Sequence, residues 1–341
     1  MIRHRVCTSL QFSLVISNAV DKLMDFAVVP GFTRIGYGVR SRSWDSDAPN
    51  LSGHDYLVTG ASSGLGIALA DQLARLGADV HMMVRNLEKG RDAKARLSEL
   101  TGSDRLHLWE CDLADSESIL AFAERFREDG RPLRALINNA GSMPPRRTRS
   151  ADGLELTFAT NVAGPFLLTA LLLHSLREAA PSRVVNVSSG GMYAKRLQAD
   201  DLQLEREEYD PAGFYAHTKR CEVILTELWQ QRMEGSGISF HSVHPGWADT
   251  PGVRDSLPRF RRLMAPILRD AGQGADTISW LCWSDRPLGE PGRFWHDREP
   301  RPVHRLPSTR ESAGDREWLW EQLVELCGAA DLIGEPIGSV R

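Results

Sequence analysis

Tyr56-Leu57-Val58-Thr59-Gly60-Ala61-Ser62-Ser63-Gly64-Leu65-Gly66 runs a β-rich tetrapeptide into a glycine turn, and Ile67 to Leu76 continues as an apolar helical pattern. A turn of this kind exposes backbone N–H groups at a helix N-terminus, where an anion is favoured and side chains would block its approach. The glycines fall as G-x-x-x-G-x-G, a variant of the G-x-G-x-x-G spacing that seats a pyrophosphate. A strand before and a helix after supply the context that this reading needs; without them the loop merely turns the chain.

The same alternation continues outward. Val80 to Val84 precedes a helical pattern from about Glu88 to Leu100, Arg105 to Trp109 precedes Asp115 to Glu128, and Leu133 to Asn138 precedes a long segment from Asp152 to Ala180. Arg183 to Val187 then precedes Gly213 to Glu234, and Ile238 to His244 closes the series. Six such alternations predict an α/β fold of the Rossmann type, a doubly wound parallel sheet of about seven strands with helices on both faces. Ligands bind such sheets beyond the carboxyl ends of the strands.

The 341 residues, 42% hydrophobic and 25% charged, suffice for a large core. We expect one domain over residues 54–300, after an extension and irregular lead-in over 1–53 and before a tail with one helix over 301–341. Met1 to Ala19 carries Arg3 and Arg5, and the apolar run from Leu10 to Val20 is interrupted by Gln11, Ser13, Ser17 and Asn18. That run is too short and too polar to span a bilayer; a targeting peptide, a non-native upstream extension and a helix docked on the domain or on a membrane surface stay open. A net charge of −4 and a pI near 6.2 give no global attraction to nucleic acid, which points to small-molecule partners. Cys7, Cys111, Cys221, Cys282 and Cys327 are odd in number and far apart, as suits a reducing compartment, so we expect a cytoplasmic protein. The ten histidines have no metal-ligand spacing, and no metal is expected.

Cofactor choice turns on the end of the second strand, where an Asp or Glu would accept from ribose hydroxyls. Val84-Arg85-Asn86 stands there instead. Arg85 does not repel a 2′-phosphate and can clamp one with its planar donors, so NADP(H) is preferred and NAD(H) stays open. Asp112 is placed to accept from an adenine amino group or to cap the next turn. Tyr215-Ala216-His217-Thr218-Lys219 puts a phenol and an ammonium one helical turn apart, and such a cation pulls a phenol down from its usual pKa of ~10 toward acid–base use. His217 would point away from that face.

With these residues in place the chain resembles the short-chain dehydrogenase/reductase family, over roughly Asp55 to Asp297. Asn138-Asn139-Ala140-Gly141, Thr160-Asn161-Val162-Ala163-Gly164, Asn186-Val187-Ser188-Ser189, the Tyr215/Lys219 pair, Pro245-Gly246 and Thr250 follow the glycine turn in the family's order. A narrower likeness within the family is carried by Ser188 to Tyr193, His244 to Val253, Gln273 to Thr277 and Gly292 to Trp295. The resemblance implies Tyr215 as general acid in carbonyl reduction, Lys219 as its tuner and holder of the nicotinamide ribose, and Ser189 as donor to the substrate oxygen, with Ser188 the competing candidate. It implies that Asn161 anchors a water linking Lys219 to solvent. It also implies a cofactor site of Gly60, Ser62, Ser63, Gly64, Leu65, Gly66, Arg85, Asn86, Asp112, Leu113, Asn139, Ala140, Gly141, Tyr215, Lys219, Pro245, Gly246, Trp247 and Thr250. Trp247, Met143, Met192 and Tyr193 sit on loops expected to face a carbonyl or alcohol substrate, small to medium in size and lipophilic, and residues 250–272 read as an amphipathic lid. Thr218, Arg220 and Cys221 depart from the usual residues around the lysine without touching the proposed chemistry. A homodimer or homotetramer agrees with the family's habits. The competing class is a non-catalytic NADP-binding scaffold or redox sensor, disfavoured because all four catalytic positions are filled.

Overall fold

The computed structural model describes residues 21, 24–44 and 48–334, so the readings for Met1 to Ala19 lie outside the described residues. Among the described residues eight strands form one sheet in the order β3-β2-β1-β4-β5-β6-β7-β8. β1 (Asp55–Thr59), β2 (Asp79–Val84), β3 (Leu106–Glu110), β4 (Leu133–Asn138), β5 (Ser182–Val187), β6 (Ile238–Val243) and β7 (Phe294–His296) are parallel. β8 (Glu299–Arg301) returns antiparallel on β7, one strand beyond the expected seven. Its hairpin turns on Asp297 and Arg298, both at positive φ (54° and 58°), a conformation that suits a two-residue turn but is uncommon for residues other than glycine.

Near-continuous burial along β1, β2, β5 and β6 is what a sheet covered on both faces demands. One face is covered by α3 (Gly64–Arg75), α4 (Leu87–Thr101) and α12 (Ala271–Trp283), which contribute Leu69, Leu73, Leu97, Ile278 and Leu281 to its core. The other is covered by α5 (Ser116–Glu128), α7 (Gly164–Leu171) and α9 (Pro211–Arg232), with Phe122, Phe166, Ile224 and Trp229. The expected helix from Asp152 to Ala180 is broken into α6 (Leu156–Phe158), a π-helical turn (Ala159–Ala163), α7 and α8 (Leu173–Glu178).

Two terminal readings change. The lead-in is not irregular: α1 (Val28–Phe32) and α2 (Arg34–Arg40) form a helical pair. Gly31 and Gly36 serve close approach there, since a Cβ on Gly36 would lie 2.5 Å from the Gly31 carbonyl oxygen. The tail carries α13 (Ala313–Leu326) and the short α14 (Ala330–Ile333), and Leu319, Trp320 and Leu323 complete the core beneath α9. Among the described residues no helix is long and apolar enough to cross a membrane.

Candidate active site

The strand order reverses between β1 and β4, and the loops leaving their carboxyl ends form a crevice. Thr59 ties the two loops together: its hydroxyl accepts from the Asn139 and Ala140 amides at 2.9 Å each, and Asn139 Nδ2 donates to the Thr59 carbonyl at 2.8 Å. Gly60 sits at φ +69°, and a Cβ there would stand 3.0 Å from Ala140 Cα. At Gly66 a Cβ would meet the Gly60 carbonyl oxygen at 2.3 Å, so a side chain is excluded. Ser63 precedes α3 without capping it, which leaves the first amides of the helix pointing into the crevice without a side-chain acceptor. A dinucleotide phosphate fits this cradle.

The remaining cofactor candidates line the same edge. Arg85 is exposed and makes no hydrogen bond or ion pair among the described residues, while Asn86 caps α4 by accepting from the Lys89 amide at 2.9 Å. Asp112 accepts from the Ala114 amide at 3.0 Å, as a turn-former does, and the side chain of Leu113 is buried in the core. Gly246, at φ +79°, allows the guanidinium of Arg269 to approach where a Cβ would fall 2.4 Å from its Nε. Thr250 caps α10 (Pro251–Ser256). The expected lid is α10, α11 (Pro258–Met264) and a 3-10 turn (Ala265–Ile267), with Asp249 held between Arg254 and Arg261. Leu263 on it is 79% exposed, and Ser256 fastens it to the Met143 carbonyl at 3.0 Å.

Tyr215 and Lys219, the expected acid–base pair, lie on α9, whose start is fixed by Asp210 accepting from the Ala212 and Gly213 amides and by Pro211 in the first turn. Lys219 is buried, and its Nζ lies 5.3 Å from the Tyr215 ring centroid. It donates to the Val187 carbonyl at 2.9 Å and to Glu222 Oε1 at 2.6 Å. Ser188 is turned inward, its hydroxyl donating to the Lys219 carbonyl at 2.8 Å, whereas Ser189 is partly open and interacts with the Tyr215 hydroxyl. Asn161, in the π-helical turn, accepts from the Ser142 amide at 2.8 Å and donates to Thr218 Oγ1 at 3.0 Å. A Cβ on Gly141 would stand 3.5 Å from Asn161 Oδ1 and 3.7 Å from Lys219 Nζ, so the two polar groups face the same side of Gly141. His217 is turned away as expected, accepting from the Gln198 amide at 3.1 Å, and burial pushes its imidazole down to about 4.

Lys219 acts on Tyr215 in the expected direction, but burial outweighs it. Burial pushes the Tyr215 phenol up from its ordinary value of 10.0, Lys219 and Ser189 pull it back only in part, and Glu222 adds to the rise. Burial also works against the Lys219 ammonium, but the negative charges of Glu222 and Tyr215 overcome it and raise its pKa. Two expected substrate contacts are packed instead. Met192 and Tyr193 join Phe32, Val223 and Phe294 in a small core, and the Tyr193 hydroxyl donates to the Pro302 carbonyl at 2.8 Å, because the 3-10 turn Gly190–Ala194 faces them toward α1 and the β7–β8 hairpin. Trp247 is half-buried between Phe32 and the lid residue Phe260, with ring centroids 5.8 and 5.1 Å away.

A family described as short chain dehydrogenase matches residues 55–200. The chain is 39% identical over 298 residues to dehydrogenase/reductase SDR family member 12 of Bos taurus, covering 86% of this chain and 92% of that one. The chain belongs to the short-chain dehydrogenase/reductase family. It is an oxidoreductase of that family, whose members take a nicotinamide dinucleotide and act on small alcohols or carbonyls. Retinol dehydrogenase 12 of Mus musculus is 35% identical, with 82% of this chain and 87% of that one covered. A crystal structure of an uncharacterized protein from Mycobacterium paratuberculosis superposes with a TM-score of 0.67 at 29% identity, covering 84% of this chain and 97% of that one.

Three contributors to this dehydrogenase/reductase site were missed in the sequence. Glu222 looks like one charge on a long helix, and only its i+3 spacing from Lys219 hints at a pair. Phe32 backs the site from the lead-in: its carbonyl accepts from the Trp247 amide at 2.7 Å and its ring stands 4.4 Å from His244. Asp297 grips Arg269 at 2.6 and 2.8 Å and Arg40 at 2.8 Å. No local motif announces either of these last two.

Proposed function

We propose that this chain is an NADP(H)-dependent oxidoreductase of carbonyls and alcohols, with Tyr215 as the proton donor and acceptor. The grouping of Tyr215 with Lys219 and Ser189, and of Lys219 with Asn161 beside Gly141, carries the reading. Gly60 to Gly66 would cradle the pyrophosphate, Arg85 would take the 2′-phosphate, and Lys219 would hold the nicotinamide ribose. When bound, the reduced nicotinamide supplies the hydride that reaches the carbonyl carbon. Tyr215 gives its proton to the carbonyl oxygen as charge builds there, and a phenol held protonated by burial suits that role at neutral pH. Ser189 donates to the same oxygen. The proton returns to Tyr215 through Lys219 and a water beside Gly141 and Asn161. In alcohol oxidation the same transfers run in reverse.

A lipophilic substrate of small to medium size is favoured by Trp247, Met143 and the exposed Leu263 around the crevice, and by the retinol dehydrogenase name of one relative. NADPH oxidation across a panel of aromatic and long-chain aldehydes and ketones tests the reading. Tight NADPH binding without turnover on any of them would favour the scaffold reading instead. Arg85→Ala is expected to cut the preference for NADPH over NADH roughly 10- to 100-fold, the loss of charge-assisted hydrogen bonds of about 1.5–3 kcal/mol. An unchanged ratio removes Arg85 from the phosphate site. Ser189→Ala should lower kcat about 10²- to 10³-fold, as loss of one donor to a developing oxyanion does, with little change in the Kd for NADPH.

A further inference from the structure

Glu222 follows Lys219 by three residues, and its carboxylate is only 7% exposed. Oε1 takes a 2.6 Å hydrogen bond from the Lys219 ammonium, while Oε2 is buried with no hydrogen-bond partner among the described residues. A buried carboxylate with half its acceptors empty is costly, so its persistence beside the acid–base pair calls for a role. The other neighbours on α9 are Tyr215, whose phenol feels the carboxylate, and the Cys221 thiol, pushed up by its own burial. The elements packed against this stretch present neutral groups. Asn161 comes from the π-helical turn and Ser188 from the end of β5. One turn further along α9, Thr226 donates to the Glu222 backbone carbonyl and accepts from Asn186, which in turn accepts from Asn138. Lys219 is therefore the cation that answers the Glu222 charge.

We propose that Glu222 is a positioning residue for the acid–base pair, its carboxylate holding the Lys219 ammonium and offsetting that charge beside Tyr215. The proposal rests on the reading of Tyr215 as proton donor. A lysine with no counter-ion would favour the phenolate; a lysine neutralised by Glu222 favours it less. Tyr215 thereby stays protonated, and so able to donate, to higher pH. Burial raises the Glu222 carboxyl to about 7, with Lys219 only partly opposing, so the offset is complete above neutrality.

Glu222→Gln in the full chain keeps the shape and removes the charge. Tyrosinate absorbance is titrated for the native chain and the variant, each against its Tyr215→Phe counterpart, so that the Tyr215 signal is isolated from the other four tyrosines. The expected result is a roughly tenfold larger acid dissociation constant for Tyr215 in the variant. A change under twofold, or no Tyr215 ionisation by pH 11 in either protein, overturns the proposal; ionisation in the variant alone supports it. If Glu222→Gln does not fold, Glu222→Met gives the same reading. A purely structural role would change stability and leave this titration in place. The optical measurement needs no turnover, so the effect of Glu222 on the Tyr215 phenol is read separately: a chain inactive on every carbonyl would sink the functional reading, whereas an unshifted titration would sink this one. Where 4-nitrobenzaldehyde is reduced with NADPH, the fall in kcat/KM at high pH should begin about one unit lower in Glu222→Gln.

Discussion

Tyr215→Phe is expected to lower kcat/KM for NADPH-linked carbonyl reduction by about 10²- to 10⁴-fold, the range a positioned general acid supplies. The effect should fall on kcat, because the lost hydroxyl acts on charge that develops in the transition state while the crevice that binds the dinucleotide is untouched. Fluorescence titration with NADPH should give a Kd within about threefold of the native value, well under 1 kcal/mol. The ring itself is retained, and with it the contact to the Lys219 ammonium, so thermal unfolding should scarcely move. A variant that reduces carbonyls at the native rate would take the proton donor away from Tyr215 and leave Ser189 or solvent to supply it.

The second large effect concerns stability. Asp297→Asn is expected to cost about 3–5 kcal/mol in urea unfolding at pH 7, because it leaves the buried Arg269 without its carboxylate partner and Arg40 with Asp21 alone. Arg269 is 1% exposed and Asp297 likewise, so solvent cannot replace the missing charge. Burial alone would raise the Asp297 carboxyl, but His296, Arg269 and Arg40 together hold it well below its ordinary 3.8. The folded pKa is thus depressed relative to the unfolded chain. Its contribution is present in full above the unfolded carboxylate range and is lost as pH falls below about 4, through the unfolded and then the folded value. The native chain should therefore lose stability more steeply than Asp297→Asn on going from pH 5 to pH 2. Parallel pH curves for the two proteins would show that the ion pairs add nothing net.

Much of this architecture was legible because its periodicities are local. β4 begins and ends at the predicted Leu133 and Asn138, and the other predicted strands fall within a residue or two, since parallel strands buried on both faces read as unbroken apolar runs. The spacing of Tyr215 and Lys219 and the glycine turn are likewise written within a few residues. What escaped depends on partners far along the chain. Phe32 meets His244 across more than two hundred residues, and Arg40 meets Asp297 across 257. The glycines of the lead-in suggested loop because close packing between short helices and chain reversal use the same residue. Met192 and Tyr193 suggested a substrate wall because an apolar loop beside a catalytic serine looks alike in sequence whether it faces a ligand or a small core. Net pKa direction was out of reach for the same reason: the Tyr215–Lys219 spacing is visible, whereas the burial that outweighs it is a property of the whole fold.

The α1–α2 lead-in and the β7–β8 hairpin meet behind the loop that follows β6. Arg269 donates to the Gly31, Thr33 and Pro245 carbonyls while Asp297 grips it, and Phe32 packs against Trp247. This has an outcome for the order of events during synthesis. A nascent chain that has already paired its first six strands still holds Pro245, Gly246 and Trp247 on an unsupported loop, because the last brace, Asp297, has yet to leave the ribosome. In such a chain the Gly60–Gly66 turn would already be tied to the Asn139–Ala140 loop through Thr59, whereas the Pro245–Trp247 loop would still lack its brace, so the two walls of the proposed dinucleotide site would be completed at different times.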